Sequence, residues 1–191
     1  MTRVAIIYYS SGGTVARLAE AVSAGAASAG ASVRSVELPA TDLEPIDRAL
    51  AALNWADGLV IGTPACFGNV AAPVKRFIDA TWTLWEQEKL ADKAVAGFTA
   101  AGSDHGGHET TLLALFQSVY HWGGVIVPAG YGDPVVRRVG GNPYGVSAKA
   151  HRDGSVDAPA LDAARYLGRR VARFAALIRQ ASVVAPSVSA S

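Results

Sequence analysis

The sequence predicts an α/β domain, an open parallel sheet covered by helices. Two observations predict it. Short apolar runs at 4–9, 58–62, 94–100 and 125–127 alternate with stretches of helical periodicity, the pattern of βαβ units. The loops that follow the first, third and fourth strands are rich in glycine and hydroxyls, as expected where an open sheet holds a ligand beyond its strand ends.

The elements follow in order. Val4 to Tyr9 is a buried strand by composition. Val15, Leu18, Ala19, Val22 and Ala26 recur at helical spacing after Thr14, and Gly30 is placed to stop that helix. Val33 to Leu38 alternates like an outer strand, Pro39 and Pro45 bound a loop, and Ile46 to Leu53 reads as a short helix. Gly58 to Gly62 is the third strand, and Pro73 to Trp82 is helical with its proline in the first turn. Ala94 to Ala100 is the fourth strand, Glu109 to Tyr120 a helix, and Val125 to Val127 the fifth strand. A glycine- and proline-rich stretch from Pro128 to Pro159 reads as one long loop, and loops of that length are functional or disordered. The closing helix carries Leu161, Ala164, Leu167, Val171, Phe174 and Ile178 on one side. One domain over 1–180 with a flexible tail over 181–191 is the expected organisation.

With 191 residues, half of them hydrophobic, the chain can bury a core without disulfide or metal staples. A net charge of +1 with scattered basic residues suggests neither nucleic acid nor a membrane surface as partner. The single cysteine, Cys66, is compatible with a reducing compartment. The first apolar run is too short for a membrane span or signal peptide, so a cytoplasmic location is expected.

Three strand-end loops hold the unusual chemistry. In Ser10-Ser11-Gly12-Gly13-Thr14, hydroxyls, backbone N–H groups and a helix N-terminus can wrap a phosphate. There is no G-x-x-x-x-G-K-[ST] and no G-x-G-x-x-G after this strand, which weighs against a nucleoside triphosphate or a dinucleotide. A lysine-free cup suits one phosphomonoester; an ordinary Ser/Gly turn is the bland alternative. In Thr63-Pro64-Ala65-Cys66-Phe67-Gly68-Asn69, Phe67 can cover a flat ring or fold into the core. In the third loop, Gly102, Ser103, Asp104, His105, Gly106 and Gly107 lead to His108 and Glu109. Its N–H groups could stabilise a ring carbonyl or a reduced anion. A zinc site there lacks the helical H-E-x-x-H spacing and a remote third ligand, so no metal is expected. Trp82 and Trp85, at i, i+3, suit a packed stripe as well as a substrate clamp.

Taken together, these loops make the chain resemble the flavodoxin superfamily, and within it the WrbA-type NAD(P)H:quinone oxidoreductases. The similarity runs from Arg3 to about Ile178 and is carried by Tyr8 to Gly13, Gly62 to Asn69, Leu84-Trp85, Gly106 to Thr110, Val125 to Pro128, Gly140 to Gly145 and Ala164 to Tyr166. The resemblance implies a flavodoxin-like doubly wound, five-stranded parallel sheet of order 2-1-3-4-5 with helices on both faces. It implies bound FMN, NADH or NADPH as electron donor, a quinone-like acceptor, and a homo-oligomer (dimer or tetramer) with active sites near subunit boundaries. By matching position, Ser10, Ser11, Gly12, Gly13, Thr14 and Val15 hold the FMN phosphate. Thr63, Pro64, Ala65, Cys66, Phe67, Gly68 and Asn69 line the ribityl chain and one side of the ring. Gly102, Ser103, Asp104, His105, Gly106 and Gly107 face its pyrimidine edge. Trp85 matches an aromatic over the ring, Trp122 falls where a ring-contacting histidine is common, and Tyr131 is placed nearby. No side chain is expected to be an obligatory acid or base, because the cofactor carries the chemistry. Two other classes fit the same fold: a flavodoxin-like electron carrier, for which this chain lacks the acidity, and a non-enzymatic FMN-binding module.

Overall fold

The computed structural model describes residues 1–41 and 44–184. Its elements are β1 (Arg3–Tyr8), α1 (Thr14–Ser28), β2 (Ser32–Glu37), α2 (Glu44–Trp55), β3 (Gly58–Cys66), β4 (Asn69–Val70) and α3 (Ala72–Ala80). These are followed by α4 (Trp82–Glu86), β5 (Ala94–Ala101), α5 (His108–Trp122), β6 (Val125–Ile126), α6 (Pro134–Arg138), β7 (Val146–Lys149) and α7 (Ala158–Val184). The main path of the sheet is β2-β1-β3-β5-β6, all parallel. This is the expected 2-1-3-4-5 order, with the short β4 counted between the third and fourth long strands.

Alternation along the strands explains the two covered faces. Val4 and Ile6 of β1 enter a core shared with α1 and α7, whereas Ala5 and Ile7 enter one shared with α2, α3 and α5. Each fully buried Ile or Leu contributes about 1.5–3 kcal/mol by leaving water. A strand flanked on both faces must be apolar throughout, and β5 is buried at every position.

On the first face, α1 and α7 cross in backbone contact. A Cβ on Gly25 would stand 2.0 Å from the Arg165 carbonyl oxygen, and one on Gly168 2.1 Å from that of Val22. No side chain larger than hydrogen fits either place. The crossing fixes α1, and therefore the loop before it, against the closing helix.

Three features depart from the sequence expectation. The stretch from Pro128 to Pro159 is not one loop: it holds α6, started by Asp133 whose carboxylate accepts the Val135 N–H at 2.9 Å, and β7. The edge strand is also divided. β6 pairs with Ala94 and Val95 at the start of β5, while β7 pairs with Phe98 to Ala101 at its end. The expected helix from Pro73 to Trp82 breaks at Thr81 into α3 and α4. Residues 42–43 of the loop between Pro39 and Pro45, and 185–191 of the expected tail, lie outside the described residues. No helix among the described residues is long and apolar enough to cross a membrane.

Candidate functional site

The three glycine-rich loops all leave the sheet at the ends of β1, β3 and β5. The first opens α1. Gly13 takes a left-handed conformation, φ 85°, and turns the chain into the helix. The Ser10 hydroxyl oxygen accepts the N–H groups of Gly13 at 3.1 Å and Ala16 at 3.2 Å, and keeps its own proton to donate. The first helical bond runs from Arg17 N–H to the Gly13 carbonyl, so the N–H groups of Thr14 and Val15 precede the helical ladder. The Thr14 hydroxyl is buried with no hydrogen-bond partner among the described residues. Such an orphan costs about 1–3 kcal/mol, and an anion held at the helix end would satisfy it. Ser11 and Gly12 are exposed, and Val15 is buried beneath them. These donors fit a phosphate monoester.

The second loop is held from below. The buried Thr63 hydroxyl accepts the Ala71 N–H at 2.9 Å, and the Thr99 hydroxyl donates to the Thr63 carbonyl at 2.7 Å. Pro64 and Ala65 are half-buried, and Cys66 and Asn69 are exposed. At the turn, Phe67 is wholly exposed at φ 52°. An aromatic residue with a positive φ and no packing partner carries strain that marks functional loops. Of the two placements expected for Phe67, the fold into the core does not occur.

The third loop meets the second. A Cβ on Gly107 would lie 2.8 Å from the Gly68 Cα, and both glycines have positive φ, 83° and 74°. Gly102, Ser103, Asp104 and His105 are exposed; Gly106 donates its N–H to the Ser103 carbonyl, closing the turn ahead of α5. Asp104 reaches Lys149 of β7 at 3.5 Å. Behind this loop lies a cavity of about 300 Å³ lined by Asp104, His108, Glu109, Asn142, Ser147 and Lys149, among others.

Trp85 and Trp122 stand elsewhere. α3 and α5 run back from the loops to the edge where strands begin. There Trp85 donates its indole N–H to the His121 carbonyl at 2.9 Å and packs on Trp82, with ring centroids 4.9 Å apart. Trp82, Trp85, His121 and Trp122 line a groove of about 380 Å³. The neighbouring bond from Val125 N–H to the Lys93 carbonyl marks the start of β5 and β6. Within one chain neither tryptophan reaches the three loops. Tyr131 lies on the outer excursion between β6 and β7, its hydroxyl donating to the Gly141 carbonyl at 2.6 Å.

The loop set is matched by sequence. A family profile described as NADPH-dependent FMN reductase matches residues 2–132. The chain belongs to this family. Within the FMN reductase family it is 40% identical to "NAD(P)H dehydrogenase (quinone) 3" of Rhizobium meliloti strain 1021, over 94% of each chain. It is 38% identical to "NAD(P)H dehydrogenase (quinone)" of Paracoccus denitrificans strain Pd 1222, over 93% of this chain and 96% of the relative. Among solved structures, "the flavodoxin, WrbA-like protein from Agrobacterium tumefaciens" superposes with a TM-score of 0.74 at 29% identity, over 93% of this chain and 99% of that one.

Other candidate residues escape the sequence reading. Gly154 packs against the first loop; a Cβ there would lie 2.6 Å from the Gly12 carbonyl oxygen. The Asp153-Gly154-Ser155 turn, in which the Asp153 carboxylate accepts the Ser155 N–H, was its only sequence signal. His108, Asn142 and Lys149 converge only because β7 returns to the sheet.

Proposed function

We propose that this chain is an FMN-dependent NAD(P)H:quinone oxidoreductase that passes an electron pair from NADH or NADPH to a quinone-like acceptor. The observation that carries the reading is the convergence of three strand-exit loops, one of them a lysine-free cup with an unpartnered buried hydroxyl at Thr14. The names of the relatives support the activity, and bound FMN supplies the two-electron chemistry.

Ser10 to Val15 bind the phosphate through N–H groups and hydroxyls. Thr63 to Asn69 orient the ribityl chain, and Phe67 shields one edge of the ring from water. Gly102 to Gly107 direct N–H groups at the pyrimidine edge, where they stabilise added negative charge. No side chain serves as obligatory acid or base in this reading. Residues 1–180 act as one FMN-binding unit, working in the cytoplasm.

Trp85 and Trp122 contribute from a second copy. They stand at the opposite edge of the sheet from their own loops, so substrate stacked on one copy's flavin is covered by its neighbour, in a homodimer or homotetramer. Tyr131 borders the substrate from the outer excursion.

Three measurements test this. The absorbance spectrum of protein reconstituted with FMN reports cofactor binding. Stopped-flow mixing with NADH and with NADPH reports reduction, and absence of flavin bleaching with both would sink the reductase reading. Light scattering reports assembly; a monomer that retains full quinone reduction overturns the role of Trp85 across copies.

A further inference from the structure

We propose that His108 is a proton-linked positioning residue of the flavin site, taking up one proton from solvent when bound FMN gains an electron pair and releasing it when the pair leaves. The inference rests on the preceding reading that FMN occupies the three loops.

His108 opens α5 directly after Gly106-Gly107, the turn assigned to the ring. The residue is only 7% exposed, and its Nε2 is enclosed with no hydrogen-bond partner among the described residues. Buried polar atoms are normally paired, so this nitrogen is held ready for a partner that arrives. Histidine is the side chain whose charge changes near neutral pH. His108 is among the residues that line the cavity between the third loop and the outer excursion.

Asp104 on the loop, Glu109 on α5 and Lys149 of β7 line the same cavity as His108, which itself opens α5. Lys149 is partly neutralised by its contact with Asp104 at 3.5 Å. Arg138 of α6 lines an adjoining cavity together with that ion pair. Charges of both signs thus border this cavity, and a negative charge added at a neighbouring flavin favours a cation beside it. His105 is exposed on the same loop.

The step balances. NAD(P)H gives a hydride, two electrons with one proton, and leaves as NAD(P)+; the flavin gains one negative charge and His108 one solvent proton. A quinone then takes two electrons and two protons, one from the flavin and one matching the proton His108 releases. Both return to their starting states.

The test is the pH dependence of the bound flavin's midpoint potential between about pH 6 and 8. One proton per electron pair corresponds to about 30 mV per pH unit and two to about 60 mV. The wild-type holoprotein is expected to follow the steeper line and His108→Gln the shallower. Equal slopes in the two proteins overturn the inference. Failure of the wild-type protein to hold FMN overturns the underlying reading instead. If His108→Gln does not load, ¹⁵N-histidine spectra of wild-type holoprotein at fixed pH decide. Conversion of one buried ring to the protonated form on reduction supports the inference, and unchanged ring signals overturn it.

Discussion

Gly107→Ala should weaken FMN binding about tenfold, and its magnitude can be worked from the geometry. The residue sits at φ +83°, and an added Cβ would meet the Gly68 Cα at 2.8 Å and the Thr110 hydroxyl oxygen at 3.1 Å. Carbon atoms pack at about 3.5–4.0 Å, so the two loops must separate by roughly 0.7–1.2 Å. The left-handed backbone costs an alanine about 1–2 kcal/mol, and over-packing adds about 1–3 kcal/mol. Half of that total, about 1–2.5 kcal/mol felt in the cleft where both loops face the ligand, brackets the roughly 1.4 kcal/mol that makes a tenfold change in Kd. Gly30→Ala is the control. It has a nearly identical φ of +80° but nothing within 4 Å, so it should lower stability by about 1 kcal/mol and leave FMN affinity alone. Fluorescence quenching of added FMN gives the affinities, and thermal melts of the apoproteins give the stabilities. If Gly107→Ala merely reproduces the control, with unchanged FMN affinity, the second and third loops do not form the flavin cleft together.

Other outcomes follow from the packing and charges. Gly168→Ala, whose Cβ would stand 2.1 Å from the Val22 carbonyl oxygen, should destabilise by about 2–3 kcal/mol from over-packing. That holds despite the gain of about 1 kcal/mol in helix propensity, and a denaturant titration reads the balance. Thr63→Val strips the Ala71 N–H of its acceptor; a loss of about 1–3 kcal/mol should appear in the same assay. At Asp57, burial raises the carboxyl, but hydrogen bonds from the Arg3 side chain and N–H, with the Arg3 charge, outweigh it and hold it below the usual range. Its contribution is therefore complete above about pH 4 and fades as pH falls toward the lowered value. Asp57→Asn should cost about 1 kcal/mol at pH 7, with the gap to wild type closing in acid.

The long strands and their order were legible because each is a run of apolar residues between turn signals. β1 and β5 need buried side chains on both faces, and Val4 to Ile7 or Ala94 to Ala100 can be nothing else. The division of the edge was not legible. β7 is four residues, Val-Ser-Ala-Lys, and becomes a strand only because the latter half of β5 offers unpaired backbone groups. α6 carried a signal, Asp133 before Pro134, which glycine-rich surroundings masked. The three glycine-rich loops could be placed from sequence because strand exits position them. The position of Trp85 could not, since it depends on α3 ending at Ala80 and α4 turning along the lower edge. The exposed imidazole of His105 and the enclosed one of His108 read alike on paper; only the return of the chain at Lys149 separates them.

The contact between α1 and α7 bears on synthesis. Ribosomes add about 5–20 residues per second, so the loop from Ser10 to Thr14 emerges long before the helix that clamps α1 through Gly25 and Gly168. The Gly154 segment that buttresses this loop arrives just ahead of that helix. A nascent chain therefore carries the loop without its backing until translation is nearly complete.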